Sequence, residues 1–164
     1  MARVQSEPPG TLSDGPRWLA ANEQRAWRSF IDGQQRLLDA LNRELQVKHD
    51  LTLADYRILV LLSESADNSL RMSDLADGVL SSRSRLTHQI RRLEQQRIVR
   101  RSNCVEDGRG VLAHLTDEGR RRLEEAAPTH VEGVRRHFID LLDTRQLAVI
   151  AEVFGQVDAA IGGT

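Results

Sequence analysis

The chain has 164 residues, of which 40% are hydrophobic and 29% are charged, with a formal net charge of −1, a balance typical of a globular domain rather than a disordered chain. Uninterrupted apolar runs such as residues 58–62 are far shorter than the roughly 20 residues of a membrane span, and the first 16 residues lack the apolar stretch of a signal peptide, so we expect a cytoplasmic protein without a membrane partner. Cys104 is the only cysteine, which excludes an internal disulfide and a cysteine-based zinc cluster.

The N-terminal part of the chain predicts a tail followed by one long helix. Residues 1–17 include three of the four prolines and show no periodicity, so we expect a flexible tail. From about residue 22 to residue 47, apolar side chains recur at spacings of three and four, which indicates an amphipathic helix. This apolar stripe is longer than a small globule covers, and an uncovered stripe indicates an interface with another chain.

Two shorter helices are expected next. Thr52 predicts the N-cap of a helix over residues 53–63, because a threonine hydroxyl can accept a hydrogen bond from a free backbone amide of the first turn. In the same way, Ser73 predicts the N-cap of a helix over residues 74–79. The tight turn that follows, residues 80–82, leads directly into a further helix.

This fourth helix, residues 83–96, is amphipathic and basic. Leu86, Ile90 and Leu93 form a narrow apolar stripe. Residues 83–101 contain seven arginines against one acidic residue, Glu94, and such a local basic patch on an acidic body is typical of a protein that binds a polyanion. Two short helices joined by a tight turn, the second of them basic, indicate a helix-turn-helix.

The side chains opposite the apolar stripe fit the recognition of DNA bases. At 100° per residue, seven hydrogen-bonding side chains and no acidic one lie outward or on the flanks: Ser84, Arg85, Thr87, His88, Arg91, Arg92 and Gln95. A helix that enters the major groove needs this division between an apolar anchor and long polar side chains. At the helix N-terminus, the small Ser82 allows close approach to phosphate. An ordinary solvated helix is the alternative, but it would normally mix charges of both signs.

A β-hairpin with a long polar tip follows. Residues 98–101 and 111–115 form the predicted strands. The tip places Arg109 between two glycines, where its guanidinium can reach the minor groove next to the site, and Asp107 can orient that guanidinium. A generic polar turn is the alternative for the tip.

The remaining residues predict helices and a dimer. Thr116 predicts the N-cap of a helix to residue 127, and Pro128 should kink or restart it because proline lacks a backbone donor. Asp143 opens the last helix. Pairing of the first and last helices with those of a second copy would cover both apolar stripes and place two recognition helices about 34 Å apart. The predicted interface residues are Trp27, Phe30, Leu147, Ile150, Phe154 and Val157.

Two segments of this chain resemble the winged helix-turn-helix core of the MarR family of bacterial transcriptional regulators. They are LADGVLSSRSRLTHQIRRLEQQRIVRR and EDGRGVLAHLTDEGRRRL. The most specific part is the Asp-x-Arg-Gly wing at 107–110, followed by the Leu-Thr-x-x-Gly junction at 115–119. The resemblance covers about residues 18–162. Arg97 departs from the glycine that usually ends the recognition helix. If the backbone there is left-handed, arginine costs roughly 1 kcal/mol; otherwise the turn takes another form, and in either case Arg97 can add a phosphate contact.

The resemblance implies a mainly α-helical fold and a DNA-binding regulator. A winged helix-turn-helix domain with a two-stranded β-wing, residues 51–116, would be flanked by a helical dimerisation region, residues 18–50 and 117–164. Such homodimers usually repress by binding a palindromic operator in double-stranded DNA, with the basic helix in the major groove and Arg109 in the minor groove. Many release DNA when a small aromatic acid or phenol binds between the two lobes.

An effector pocket of that kind could be lined by aromatic residues of this chain, although aromatic residues at helical spacing more often serve simple packing. The candidates are Trp18, Trp27, Phe30 and Tyr56.

The sequence is also compatible with two other functions. The first is a winged-helix module that binds another protein and does not read DNA specifically. The second is a redox-sensing regulator that uses Cys104, which would need exposure and a lowered pKa, supplied by Arg100 and Arg101. The redox-sensing branch of the family carries its cysteine in the first helix, where this chain has none.

Metal binding and catalysis are not expected. His130 and His137 are seven residues apart on the helix, too far to share a metal ion. The sequence also contains no glycine-rich phosphate loop and no nucleophile elbow. We therefore expect neither an enzyme nor a cofactor.

Overall fold

A computed structural model describes residues 16–104 and 110–162, which are mainly α-helical. The helices are α1 (Ala21–His49), α2 (Leu53–Glu64), α3 (Met72–Gly78), α4 (Arg83–Gln95), α5 (Asp117–His137) and α6 (Thr144–Gly162), with 3-10 turns at Ala66–Asn68 and Ile139–Leu141. Strands β1 (Ser69–Arg71), β2 (Val99–Asn103) and β3 (Val111–Leu115) form an antiparallel sheet in the order β1-β3-β2. A mainly helical winged fold is therefore confirmed. Among the described helices, none is long and apolar enough to cross a membrane.

The chain divides into two units within α1, Met1–Gln34 and Gln35–Thr164. In the first unit, the backbone N–H of Ala20 donates to Glu23 Oε2 at 2.7 Å, which ties down the first turn of α1. The rings of Trp27 and Phe30 lie 6.0 Å apart on the same helix. Both tryptophans of this unit are exposed.

The hydrophobic core of the second unit lies where α2, α4, α5 and the sheet meet. Leu86, Ile90 and Leu93 of α4 are fully buried in it, as the spacing predicted. Because the stripe is only one residue wide on each turn, it presses one edge of α4 into the core and leaves most of the helix surface outside. Other fully buried aliphatic side chains include Leu45, Leu51, Ile58, Leu59, Leu62, Leu75 and Ile98.

Side-chain caps begin several of the helices at the positions that the sequence predicted. Thr52 Oγ1 accepts the backbone N–H of Asp55 at 3.0 Å, and the Asp55 carboxylate accepts the N–H of Thr52, which is a reciprocal capping box. Thr116 Oγ1 accepts the N–H of Gly119 at 3.0 Å at the start of α5. At the start of α6, Asp143 and Gln146 exchange the same pair of hydrogen bonds at 2.8 and 2.9 Å.

The predicted cap at Ser73 is wrong, because α3 begins at Met72 and Ser73 lies inside it. The cause is a strand that the sequence did not predict. Leu70 and Arg71 pair with Ala113 and Leu112 of β3, so the chain leaves the sheet directly into α3. Three residues are too few for strand periodicity to show in a sequence.

Of the kink or restart predicted at Pro128, the restart is wrong. Helix α5 continues as a single helix from Asp117 to His137, although Pro128 cannot donate a hydrogen bond to the carbonyl of Glu124. The proline ring lies on the exposed side, while Ala126 and Gly133 are buried on the opposite side. Packing on both sides of the proline holds the helix together at that point.

Candidate nucleic-acid interface

The outward surface of α4 carries side chains that the sequence predicted to contact DNA. Ser84, Arg85, His88, Arg91 and Gln95 are all exposed. Within the described part of the chain, none of these five side chains takes part in an ion pair. They form one polar and cationic surface, here called the α4 face, which can donate hydrogen bonds to base edges and phosphates.

Ser82 and Thr87, which the sequence also predicted as DNA contacts, form side-chain hydrogen bonds within α4 itself. Ser82 is the N-cap of α4, and its hydroxyl oxygen accepts the N–H of Arg85 at 3.3 Å. The hydroxyl of Thr87, which is half-buried, donates to the carbonyl oxygen of Arg83 at 2.8 Å. Both residues remain at the edge of the α4 face, with their hydroxyl groups already engaged.

Arg92, also selected for DNA contact, is held in an ion pair. One nitrogen of its guanidinium, Nη2, donates to Oδ2 of Asp55 in α2. The carboxylate of Asp55 is fully buried, whereas the Arg92 side chain is 42% exposed. Asp55 was not among the candidate functional residues predicted from the sequence. Its position three residues after Thr52 signals a capping box, but no local pattern signals its pairing with α4.

A second contact holds α4 on the opposite flank. Glu94 Oε1 accepts the backbone N–H of Arg101 in β2 at 3.0 Å, and Glu94 Oε2 accepts Arg101 Nε at 2.8 Å. The one acidic residue of the basic stretch is thus used to fasten the helix to the wing strand. It leaves the α4 face without a negative charge.

The turn after α4 has a left-handed backbone at Arg97, the position where the family usually has glycine. Arg97 has φ of 60°, a conformation that side chains other than glycine adopt at a cost. Its N–H donates to the carbonyl of Glu94 at 2.9 Å, and its own carbonyl accepts the hydroxyl of Thr116 at 2.7 Å. Arg97 is exposed, so its side chain lies at the surface beside the end of α4.

The wing strands β2 and β3 pair along their whole length, from Val99 opposite Leu115 to Asn103 opposite Val111. The N–H of Cys104 donates to the carbonyl of Gly110 at 2.7 Å, which closes the base of the tip. Asp107 and Arg109, selected for DNA contact, lie outside the described residues.

Cys104 does not have the exposure that a redox sensor needs. Its side chain is buried, with 6% of its surface exposed. A peroxide or a second thiol must reach the sulfur for oxidation to occur. The burial therefore argues against the redox-sensing alternative.

A basic pocket of about 360 Å³ borders the α4 face, between the start of α3 and the wing strands. Arg71, Arg83 and Arg101 contribute to its lining, together with Thr87. The basic residues of this lining lie on the side of α4 that is nearest the wing, where Arg101 is paired with Glu94. Such a surface suits the phosphate backbone of a duplex.

The apolar side of α6 has no buried residue within the described chain. Of the residues selected for a dimer interface, Leu147 and Ile150 are half-buried, and Phe154 and Val157 are 43% and 44% exposed. Trp27 and Phe30 belong to the first unit, where Trp27 is exposed and Phe30 is half-buried. Contact of these residues with a second copy stays a prediction.

The residues selected for an effector pocket lie in both units. Trp18, Trp27 and Phe30 belong to the first, and Tyr56 to the second. Tyr56 is buried, and its ring centroid lies 4.5 Å from that of His130. Burial raises the pKa of the Tyr56 phenol and lowers the pKa of the His130 imidazole, because both charged forms would lose water. The effector pocket itself stays a prediction.

Comparison with known proteins gives consistent matches. A family model described as transcriptional regulator SarA/Rot matches residues 40–126. The crystal structure of AbsC, a MarR family transcriptional regulator from Streptomyces coelicolor, is 44% identical over 91% of this chain and 100% of that chain, with a TM-score of 0.86. Sco3205, a MarR family transcriptional regulator from the same organism solved in complex with DNA, is 42% identical over 91% of this chain and 93% of that chain, with a TM-score of 0.87.

A curated relative from another organism agrees with these structures. The HTH-type transcriptional regulator MhqR of Bacillus subtilis (strain 168) is 25% identical over 133 residues, which is 81% of this chain and 84% of that protein. All of these relatives are regulators of transcription.

Proposed function

Since the chain belongs to the MarR family of transcriptional regulators, we propose that it binds a palindromic operator in double-stranded DNA as a homodimer and represses transcription until a small effector releases it. The relative solved with DNA supports the choice of ligand. The α4 face carries the proposal, because an exposed row of cationic and polar side chains lies directly opposite a buried apolar stripe.

The roles on the α4 face follow from position. Arg91 and His88 lie at the middle of the face and donate to base edges in the major groove. Arg85 lies one turn nearer the helix N-terminus and takes either a base or a phosphate. The proposal also includes Arg109 as the minor-groove contact, with Asp107 to orient its guanidinium.

The homodimer is supported by the apolar side of α6. Val149, Val153 and Val157 recur every four residues and are each about half exposed in the single chain. A second copy that packs against this stripe removes it from water, and a two-fold axis then presents two α4 faces to the same side of a duplex.

The effector is proposed to be a small aromatic acid or phenol that contacts aromatic side chains of the first unit, namely Trp18, Trp27 and Phe30. Two of these side chains are tryptophans, so a bound aromatic ligand would change the intrinsic fluorescence of the protein. Titration with salicylate, as a simple aromatic acid, tests this, and an unchanged emission spectrum up to millimolar ligand counts against these residues as the contact.

The function is tested by selecting bound sites from a random duplex library, with the Arg85/Arg91/Arg109 triple alanine variant in parallel. We expect enrichment of a two-fold palindrome whose half-sites lie one DNA turn apart, and loss of that enrichment in the variant. Equal recovery from both proteins would mean that the helix does not read bases. A module that binds another protein would then be the better interpretation.

Salt dependence gives an independent measure. If a dimer neutralises six or more phosphates, the logarithm of the binding constant should fall against the logarithm of salt concentration with a slope of about −5 or steeper. If the protein is instead a module that binds another protein, we expect no binding to duplex DNA with this salt dependence.

A further inference from the structure

Asp55 is the one buried charged side chain among the described residues, and every hydrogen bond that it accepts arrives at one oxygen. Oδ2 accepts the N–H of Thr52 at 2.8 Å, the hydroxyl of Thr52 and Nη2 of Arg92. The other oxygen, Oδ1, is buried and has no hydrogen-bond partner within the described part of the chain. A buried carboxylate that loses a partner is left with an uncompensated charge. Its position relative to Arg92 is therefore tightly fixed.

The first turn of α2, where Asp55 lies, is itself anchored. The backbone N–H of Leu53 donates to Asn42 Oδ1 of α1 at 2.9 Å, and the Asn42 amide in turn donates to Gln46 Oε1 at 3.0 Å. Leu51 beside this turn is fully buried. Asp55 is therefore held in place by the anchored first turn of α2. Its contact with Arg92 constrains α4 rather than α2.

The apolar stripe of α4 cannot fix the rotation of that helix alone. A stripe one side chain wide on each turn limits rotation of the helix about its axis less than a broad apolar face would. Arg92 and Glu94 leave the helix on different flanks, and they bind Asp55 of α2 and Arg101 of β2. Two polar contacts on opposite flanks prevent rotation in either direction.

We propose that Asp55 is a positioning residue for DNA recognition, which acts through Arg92 to set the rotation of α4 and so to aim the α4 face at the bases. Arg92 then supports the recognition helix instead of serving mainly as a DNA contact. This inference rests on the proposed reading of DNA by α4. It gives the two neighbouring arginines of α4 different roles, since Arg91 contacts the bases and Arg92 fixes the orientation of the helix.

The test is a double-mutant cycle of Asp55→Asn, Arg92→Gln and the double variant. For each protein, affinity is measured for the selected operator and for a scrambled duplex of equal length, over a range of salt concentrations. We expect each single variant to lower the ratio of specific to non-specific affinity about tenfold. The double variant should lose no more than either single one, and the salt slope should stay unchanged because phosphate contacts are kept.

A different result identifies Arg92 as a phosphate contact. In that case Arg92→Gln would weaken both duplexes equally and reduce the salt slope by about one, while Asp55→Asn would bind like the parent protein. That combination would overturn the proposal. Arg92→Lys provides a rescue test, since it keeps the charge and one nitrogen that can donate to Asp55, and it should recover part of the specificity ratio.

Controls separate positioning from loss of folding. Arg121→Gln breaks exposed ion pairs with Glu118 and Glu125 on α5 and should leave the specificity ratio unchanged. Hydrogen exchange of the α4 backbone amides, measured without DNA, should accelerate in Asp55→Asn and in Arg92→Gln at a temperature where both are folded. Unchanged exchange would overturn the positioning role. If the parent protein itself selects no DNA sequence, the proposed function fails while the exchange experiment still tests this contact.

Discussion

The hydroxyl of Thr116 donates a hydrogen bond to the carbonyl oxygen of Arg97 at 2.7 Å, and the same oxygen atom of Thr116 accepts the N–H of Gly119 at 3.0 Å. One side chain thus joins the end of the recognition helix to the start of α5. Because α5 packs against α2, the left-handed turn after α4 is tied to the core through Thr116. The geometry of the recognition helix therefore depends on residues on both sides of the wing.

Arg97→Gly should stabilise the protein. Glycine adopts a φ of 60° without the steric cost that arginine pays, so we expect the free energy of unfolding to rise by about 1 kcal/mol. Urea denaturation followed by circular dichroism measures it. Arg97→Ala is the matched control, because alanine removes the charge but keeps the strain. Equal stabilisation by both substitutions would show that charge, rather than backbone conformation, is the cause.

Gly119→Ala should destabilise the junction between wing and helix. A Cβ atom at this position would lie 2.2 Å from the carbonyl oxygen of Ile98, which is backbone and cannot move aside cheaply. We expect a loss of about 2 kcal/mol in the free energy of unfolding. Gly33→Ala on α1, where no described atom beyond the two neighbouring residues and the adjacent helix backbone lies within 4 Å of the new methyl group, should not be destabilising. A Gly119→Ala protein as stable as the parent would mean that the junction can open without cost.

Arg91→Ala should reduce operator affinity and relax sequence preference. The side chain is exposed at the middle of the α4 face, and loss of a base contact costs about 1–3 kcal/mol. Competition binding with operators changed one base pair at a time identifies the affected position in each half-site. A loss of equal size on every sequence would reassign Arg91 to a phosphate.

Val157→Asp should dissociate the homodimer. Val157 lies in the exposed apolar stripe of α6, and a carboxylate there would be buried without a partner if a second copy covers the stripe. Sedimentation velocity measures the change in mass. Gln156→Asp adds the same charge one residue away, on a different side of the helix, and should remain dimeric. A Val157→Asp protein that still sediments as a dimer would place the interface elsewhere.

Stability should fall as the pH is lowered through the range in which histidine ordinarily titrates, and His130 should account for part of the fall. Burial lowers the pKa of this imidazole in the folded chain. The unfolded chain therefore binds a proton first, between the ordinary value near 6.5 and the lowered one. Acidification across that interval favours unfolding.

His130→Gln should flatten this dependence in urea titrations performed at successive pH values. An unaltered slope in the His130 variant would assign the effect to other groups, such as His114, whose pKa is also lowered by burial and by Arg100.

The sequence predicted the features that depend on neighbouring residues. The caps at Thr52 and Thr116 are visible because a hydroxyl acts on an amide three positions away. The α4 face is visible because helical periodicity separates Leu86, Ile90 and Leu93 from the outward side chains. In each of these cases, the cause and its effect lie within one or two turns of chain.

The features that the sequence did not reveal depend on residues brought together by folding. Asp55 and Arg92 are 37 positions apart, and neither has a local pattern that names its partner. Strand β1 exists because Leu70 meets Ala113, and it moved the start of α3 away from Ser73. Pro128 stays within one helix because buried residues before and after it outweigh a missing hydrogen bond.

The burial of Cys104 makes the protein convenient for site-specific labelling. Its sulfur is shielded in the folded chain, so a maleimide dye should react with it slowly under native conditions. A cysteine introduced at Gln95 would then be the accessible thiol on the α4 face. A fluorophore attached there would report the arrival and departure of a duplex in real time.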